Sequence, residues 1–178
     1  RTTERLEADA LVSGQQKDYY DLLITGKPRL FSVTLHPLAA MMFFSMPASE
    51  FFNRNVPLRY VTGNLATEWE DKLLAAHTFA DHIAVSEQYL QRLLLKNHRE
   101  YEASRIHDCI SFIDRHVGIV TVEKLASRAC LSVKQFQRSF TGAIGISPKK
   151  FIRIVRFQQS IHRKGKDPLY PLTRLAHD

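Results

Sequence analysis

Two short apolar stripes of helical period follow each other closely between Thr121 and Pro148, and they constrain this chain more than any other feature. Thr121 can cap a helix whose apolar positions Val122, Leu125 and Ala126 recur at core spacing, and that helix is expected to end around Cys130 and Leu131. Ser132 then opens a second helix. On it Val133, Phe136, Phe140 and Ile144 share one face and Lys134, Gln137, Arg138 and Thr141 the opposite one, since residues three and four apart fall together on a helix. The apolar face has to be buried, which turns the polar face outward. Gly145 supplies a left-handed stop, and Ser147 with Pro148 restarts a third helix with an N-cap and a proline whose missing N–H costs nothing there. Phe151, Ile154, Val155 and Ile161 are expected to form the buried side of that third helix.

Charge divides along the same line. The net charge is +7, yet residues 1–118 carry 13 Lys and Arg against 15 Asp and Glu, a net of −2, while residues 119–178 carry 12 against 3, a net of +9. The whole positive excess sits in the last third, the signature of a polyanion-binding module attached to a near-neutral one. Two short helices joined by a tight turn, the second presenting Lys134, Gln137 and Arg138, are what a reader of the DNA major groove requires. Arg can donate two hydrogen bonds to guanine O6 and N7, and Gln can pair bidentately with adenine, each good pair discriminating by about 1–3 kcal/mol. Lys149 and Lys150 fall in the first turn of the third helix, where positive charge opposes the helix dipole unless phosphates approach that end. Arg163, Lys164 and Lys166, beside Gly165 and Pro168, read as a solvated linker.

The earlier residues have a different texture. Residues 8–13, 19–25 and 29–35 read as extended segments broken by Gly14, by Gly26-Lys27-Pro28 and by His36-Pro37, which suggests a small β-rich piece. The apolar run 38–46 fits strand or helix and leans helical, and Pro47-Ala48-Ser49-Glu50 resembles the start of a helical turn. From Leu65 onward the period becomes helical through Trp69, Leu73, Leu74 and His77, with Thr67 and Glu70 offering a capping box. Ile83, Tyr89, Leu90, Leu93 and Leu94 mark an amphipathic helix ending near Asn97. Ile106, Ile110, Ile113 and Val117 mark another, stopped at Gly118. The expected fold class is α+β: a small β-containing N-terminal sensor or dimerisation domain over residues 1–98, then an all-α helix-turn-helix domain over residues 99–178, with the boundary between Lys96 and Tyr101.

The set Leu125-Ala126, Leu131-Ser132, Phe136, Gln137-Arg138, Phe140, Gly145, Ser147-Pro148, Phe151 and Arg156 resembles the AraC/XylS family of transcription regulators in order and spacing. The resemblance covers about 60 residues. It implies two helix-turn-helix units joined by a long helix, here residues 148–163, both entering successive major-groove segments of one site. It further implies that Lys134, Gln137 and Arg138 read bases and that Ser132, Gln135 and Thr141 contact the DNA backbone; Lys149 and Lys150 join the backbone contacts on the helix-dipole argument alone. Ser160 stands where the family usually has Ala. Leu172, Leu175 and Ala176 look like the opening helix of the second unit, but the sequence stops at Asp178, one and a fraction reading heads in all. The first 100 residues or so resemble the small sensor domains that precede this module in many members, through His36-Pro37 and residues 51–63 with Val56-Pro57-Leu58. No ligand residue carries across.

Other chemistry finds little purchase. Among eight histidines, His77 and His82 are five apart and do not share a helical face, and no HExxH or Cys/His cluster exists, so no metal is expected. Cys109 and Cys130 read as reduced core thiols. Met41, Met42, Phe43, Phe44 and Met46 read as core rather than as a ligand pocket. Ser132 and Ser139 lack a nucleophile motif, and there is no Gly-rich phosphate loop, so neither an enzyme nor a cofactor is expected. No apolar run reaches the roughly 18 residues of a membrane span, and no export signal precedes the fold, which points to the cytoplasm. The chain starts at Arg1 without an initiator Met and is expected to have lost its native beginning. The partners expected are double-stranded DNA, a small-molecule effector, RNA polymerase and a second copy of the chain, with no membrane. Two rival readings are an alkyl-transfer repair protein carrying the same module, and a protein-interaction module with no DNA role.

Overall fold

The computed structural model describes residues 7–16, 19, 21–44, 46–96 and 100–167, the last range without the side chains of residues 100 and 101. The chain divides into two compact units, one of Arg1–Ala103 with Gly142–Gly145 and the other of Ser104–Thr141 with Ile146–Asp178. The expected boundary at residues 98/99 lies outside the described residues, as do Leu172, Leu175 and Ala176 of the expected second reading unit.

In the first unit a two-stranded antiparallel sheet pairs β1 (Leu11–Ser13) with β2 (Asn55–Pro57), Val12 opposite Val56. The Ser13 hydroxyl donates to Asn55 Oδ1 at 2.9 Å, pinning the register on the exposed face. Between the strands run α1 (Ala39–Phe43) and a single 3-10 turn (Ala48–Phe51), and after them α2 (Leu58–Thr62), α3 (Leu65–Ala75) and α4 (Phe79–Lys96). Phe44, Phe51, Leu58, Leu65, Trp69, Tyr89 and Leu93 form the core. Trp69 of α3 lies flat on Tyr89 of α4, ring centroids 5.3 Å apart and planes 6° from parallel. Met41 and Phe44 are buried, so the Met/Phe run is core as expected.

Three sequence expectations need correction here. Among the described residues the piece is not β-rich: only the first of the three extended segments pairs, while 21–25 and 29–35 form no strand. A segment of β-forming composition becomes a strand only where a neighbour takes up its backbone groups, and Leu23 stays 84 % exposed. The Thr67/Glu70 capping box does not form either, because Gly63, at φ 61°, ends α2 and α3 begins two residues later at Leu65, with Thr67 already inside it. Leu74 is exposed and His77 lies beyond the end of α3, so neither joins its buried stripe. The cap that does form belongs to α4: Asp81 N–H donates to Thr78 Oγ1 at 3.1 Å and Thr78 N–H to Asp81 Oδ2 at 3.0 Å.

The described elements of the second unit are all helices: α5 (Glu100–Arg115, its first turn counted with the other unit), α6 (Val122–Arg128), α7 (Val133–Ile144, its last three residues likewise) and α8 (Pro148–Lys166). Ile106, Ile110 and Ile113 of α5, Leu125 and Ala126 of α6, Phe136 and Phe140 of α7, and Phe151, Ile152 and Val155 of α8 are buried. Phe140 meets Phe151 edge-on at 5.6 Å. Ile161, expected in the core of α8, is 56 % exposed, and Ile152 takes the buried role instead. The expected linker is also partly helical, since α8 continues through Lys164 and Gly165 to Lys166. No helix of the described residues is long and apolar enough to cross a membrane.

Candidate nucleic-acid interface

The turn between α6 and α7 is built almost wholly from local hydrogen bonds. Thr121 Oγ1 accepts from Lys124 N–H at 3.2 Å and starts α6. At the other end Leu131 N–H donates to Ala126 O and Cys130 N–H to Ser127 O, both at 3.0 Å, a Schellman closure that takes up two of the last carbonyls of α6. That closure needs a left-handed residue, and Cys130 occupies it at φ 53°. Arg105 of α5 adds a guanidinium donor to Ala129 O and a second contact to Cys130 O, putting positive charge where the helix dipole is negative. Arg128 and Asp108 form an ion pair across α5 and α6 at 3.3 Å, and Lys124 and Arg128 both lie over the Phe112 ring.

After one residue of spacing α7 opens on a reciprocal capping box. Ser132 Oγ accepts from Gln135 N–H at 3.3 Å, and Gln135 Oε1 accepts from Ser132 N–H at 3.1 Å and from the Ser132 hydroxyl at 2.8 Å. The two side chains read from the sequence as backbone-contacting are therefore already joined, which leaves the Gln135 amide NH2 as the group aimed outward. Phe136 and Phe140 are wholly buried and Val133 is 37 % exposed, so the polar stripe is forced to the opposite side. Lys134, Gln137 and Arg138 are exposed on it, and Thr141, a turn further on, is half-buried. α7 stops at Gly145, which has φ 91°, and α8 starts on Ser147, whose hydroxyl oxygen accepts from Lys150 N–H at 3.3 Å, with Pro148 at its first position. Lys149 is exposed and Lys150 half-buried in that first turn.

The site residues thus fall into two groups. Ser132, Lys134, Gln135, Gln137, Arg138 and Thr141 share one helix, and Lys149 and Lys150 stand at the N-terminus of the next. Residues 131–166 contain nine Lys and Arg and no Asp or Glu, a denser basic tract than the division at residue 118 suggested. Sequence reasoning missed Arg105, whose role depends on α5 lying beside the end of α6. Nothing in the local sequence around Arg105 signals that.

Cys109 and Cys130 have separate fates. Cys109 is buried, with its sulfur 3.6 Å from Leu125 O, and burial pushes its thiol pKa up. Cys130 is exposed, contrary to the expectation of two core thiols, because the left-handed turn position holds its side chain off the helix pair. Among the described residues no group of three His, Cys, Asp or Glu side chains is placed to hold a metal ion.

Residues 1–57, just under a third of the chain, match the family described as Domain of unknown function (DUF6597). The match ends with β2 and does not reach the helices of the candidate interface. No curated protein and no solved structure matches the chain.

Proposed function

We propose that this chain is a sequence-specific DNA-binding transcription regulator of the AraC type, cytoplasmic and without catalytic activity. One observation carries the reading: α7 presents Lys134, Gln137 and Arg138 outward over a fully buried Phe136/Phe140 face, at the end of a turn closed by hydrogen bonds at both helix termini. A helix so fixed holds its base-facing side chains in one register, as direct readout requires. Gln137 offers an amide donor and acceptor that match N7 and N6 of adenine, and Arg138 two donors that match O6 and N7 of guanine. Thr141, Lys149, Lys150 and the Gln135 amide, held in place by Ser132, supply contacts to phosphates, which position the helix without reading sequence. The tract without a single carboxylate from residue 131 to 166 removes the repulsion that acidic groups would add. The first unit then carries regulation, by sensing a small-molecule effector or by pairing two copies, and RNA polymerase is the machinery on which such a regulator acts.

The test is selection from a random duplex library with the full chain at near-physiological salt, where non-specific binding is weakened. Enrichment of one motif is expected. Recovery of duplexes with no shared motif, bound equally at low and high salt, would contradict the proposal.

A further inference from the structure

The later turns of α8 carry a stripe that the groove-reading face leaves unused. Arg153, Arg156, Ser160 and Arg163 recur at three- and four-residue spacing and share one side of the helix. Opposite them lies the link between α5 and α6, and the two together line an open concavity of about 210 Å³.

Its walls differ in chemistry. The three guanidiniums make one wall cationic, no Asp or Glu lines the space, and Arg153 and Arg156 form no ion pair among the described residues. The other wall is apolar: Ile119 and Phe157 line it and are each 65 % exposed, left in water by the fold. Gln159 and Ser160 add neutral hydrogen-bonding groups. The Ser160 hydroxyl gives its proton to Arg156 O at 3.0 Å, which leaves the oxygen as an acceptor.

The link is also held close to the helix. A Cβ on Gly118 would stand 2.5 Å from Arg156 Cγ and 2.9 Å from Ile152 O, so only glycine fits at that contact. Val117, which lines the concavity, is held at φ 55°, a conformation that branched side chains avoid. The backbone of the link is therefore held against α8 before any ligand arrives, which lowers the ordering cost of binding.

We infer that this concavity binds a small organic carboxylate, an aromatic or short branched acid, with its carboxylate on Arg153 and Arg156 and its apolar body against Ile119 and Phe157. Paired guanidinium donors suit a planar carboxylate. The volume lies below the roughly 300–1,000 Å³ of drug-sized sites, which excludes long-chain lipids and large cofactors. A nucleic-acid backbone would use the cations and leave the apolar wall without a role. The inference does not depend on the DNA reading, since Arg153, Arg156, Ile119 and Phe157 are not among the residues that reading uses.

Benzoate, inorganic sulfate and benzamide, titrated separately into the full chain by calorimetry, test it. Benzoate is expected to bind about tenfold tighter than sulfate, which has charge alone, or benzamide, which has the ring alone. Arg153→Gln should weaken benzoate about tenfold with thermal unfolding unchanged, because that side chain is exposed. Phe157→Ser should weaken benzoate and leave sulfate as it was. Benzoate binding no tighter than sulfate would overturn the inference. So would benzoate affinity unchanged in the Arg153→Gln, Phe157→Ser double variant, whose fold the same unfolding curve checks.

Discussion

At the scale of single residues, two left-handed positions show how backbone demands outrank side-chain preference. Both α5 and α6 end in Schellman closures, and neither puts glycine at the left-handed residue: Val117 and Cys130 stand there at φ 55° and 53°. At the first closure the glycine is one position late, because Gly118 is required where α8 approaches too closely for any Cβ. At the second no such contact exists and Cys130 is exposed, so little packing would be lost on replacing it. Left-handed geometry costs an L-residue about 1–2 kcal/mol, part of which glycine returns through its looser unfolded chain. Cys130→Gly is expected to raise stability by about 0.5–1 kcal/mol, read as a higher midpoint in urea unfolding; a lower midpoint would mean that the Cys130 side chain makes a stabilising contact. Cys109, with its thiol pKa raised by burial, should stay unlabelled by iodoacetamide at neutral pH in the folded protein while Cys130 reacts.

At the scale of elements, what was legible in the sequence followed from period and caps. The helix starts at Thr121 and Ser147 are visible because each cap is a local event, one side-chain oxygen and one N–H three residues on. The Lys134/Gln137/Arg138 stripe was legible for the same reason, since Phe136 and Phe140 leave no other side for it. The failures are tertiary. Segments 21–25 and 29–35 have strand-like composition but pair with no strand among the described residues, Ile161 has the right spacing but lies beyond the buried part of α8, and Arg105 acts across two helices. The capping box of α4 was also overlooked, and it yields a pH prediction. The Thr78 side chain, then its backbone N–H, hold the Asp81 carboxyl below its usual range. A carboxylate depressed in the folded state stabilises above its unfolded pKa and loses that contribution as pH falls through the folded one. Protection of the first-turn amides of α4 against hydrogen exchange should therefore be constant at neutral pH and fall below about pH 4. Unchanged protection at pH 3, or the same fall in Asp81→Asn, would remove Asp81 from the explanation.

At the scale of the whole molecule, the division of charge is the broadest physical fact: a net of −2 over residues 1–118 and +9 over residues 119–178. The structure puts that excess on a helical unit and the two-stranded sheet in the other. The proposed function would use this separation: electrostatic affinity for any duplex would belong to one part and be controlled from a part that does not share it. Affinity for DNA should fall steeply with salt, the logarithm of the binding constant losing about 0.9 per decade of salt for each phosphate neutralised. Salt dependence alone would follow from any basic surface, so the decisive measurement compares variants across a full set of duplex sequences. Arg138→Ala, measured against wild type over every single-base change of the selected motif, is expected to lose preference at one position by about 1–3 kcal/mol and to keep the others, while Lys150→Ala weakens all sequences alike. An Arg138→Ala protein that loses the same affinity on every sequence would contradict the account, because α7 would then be a basic surface and not a reader of bases.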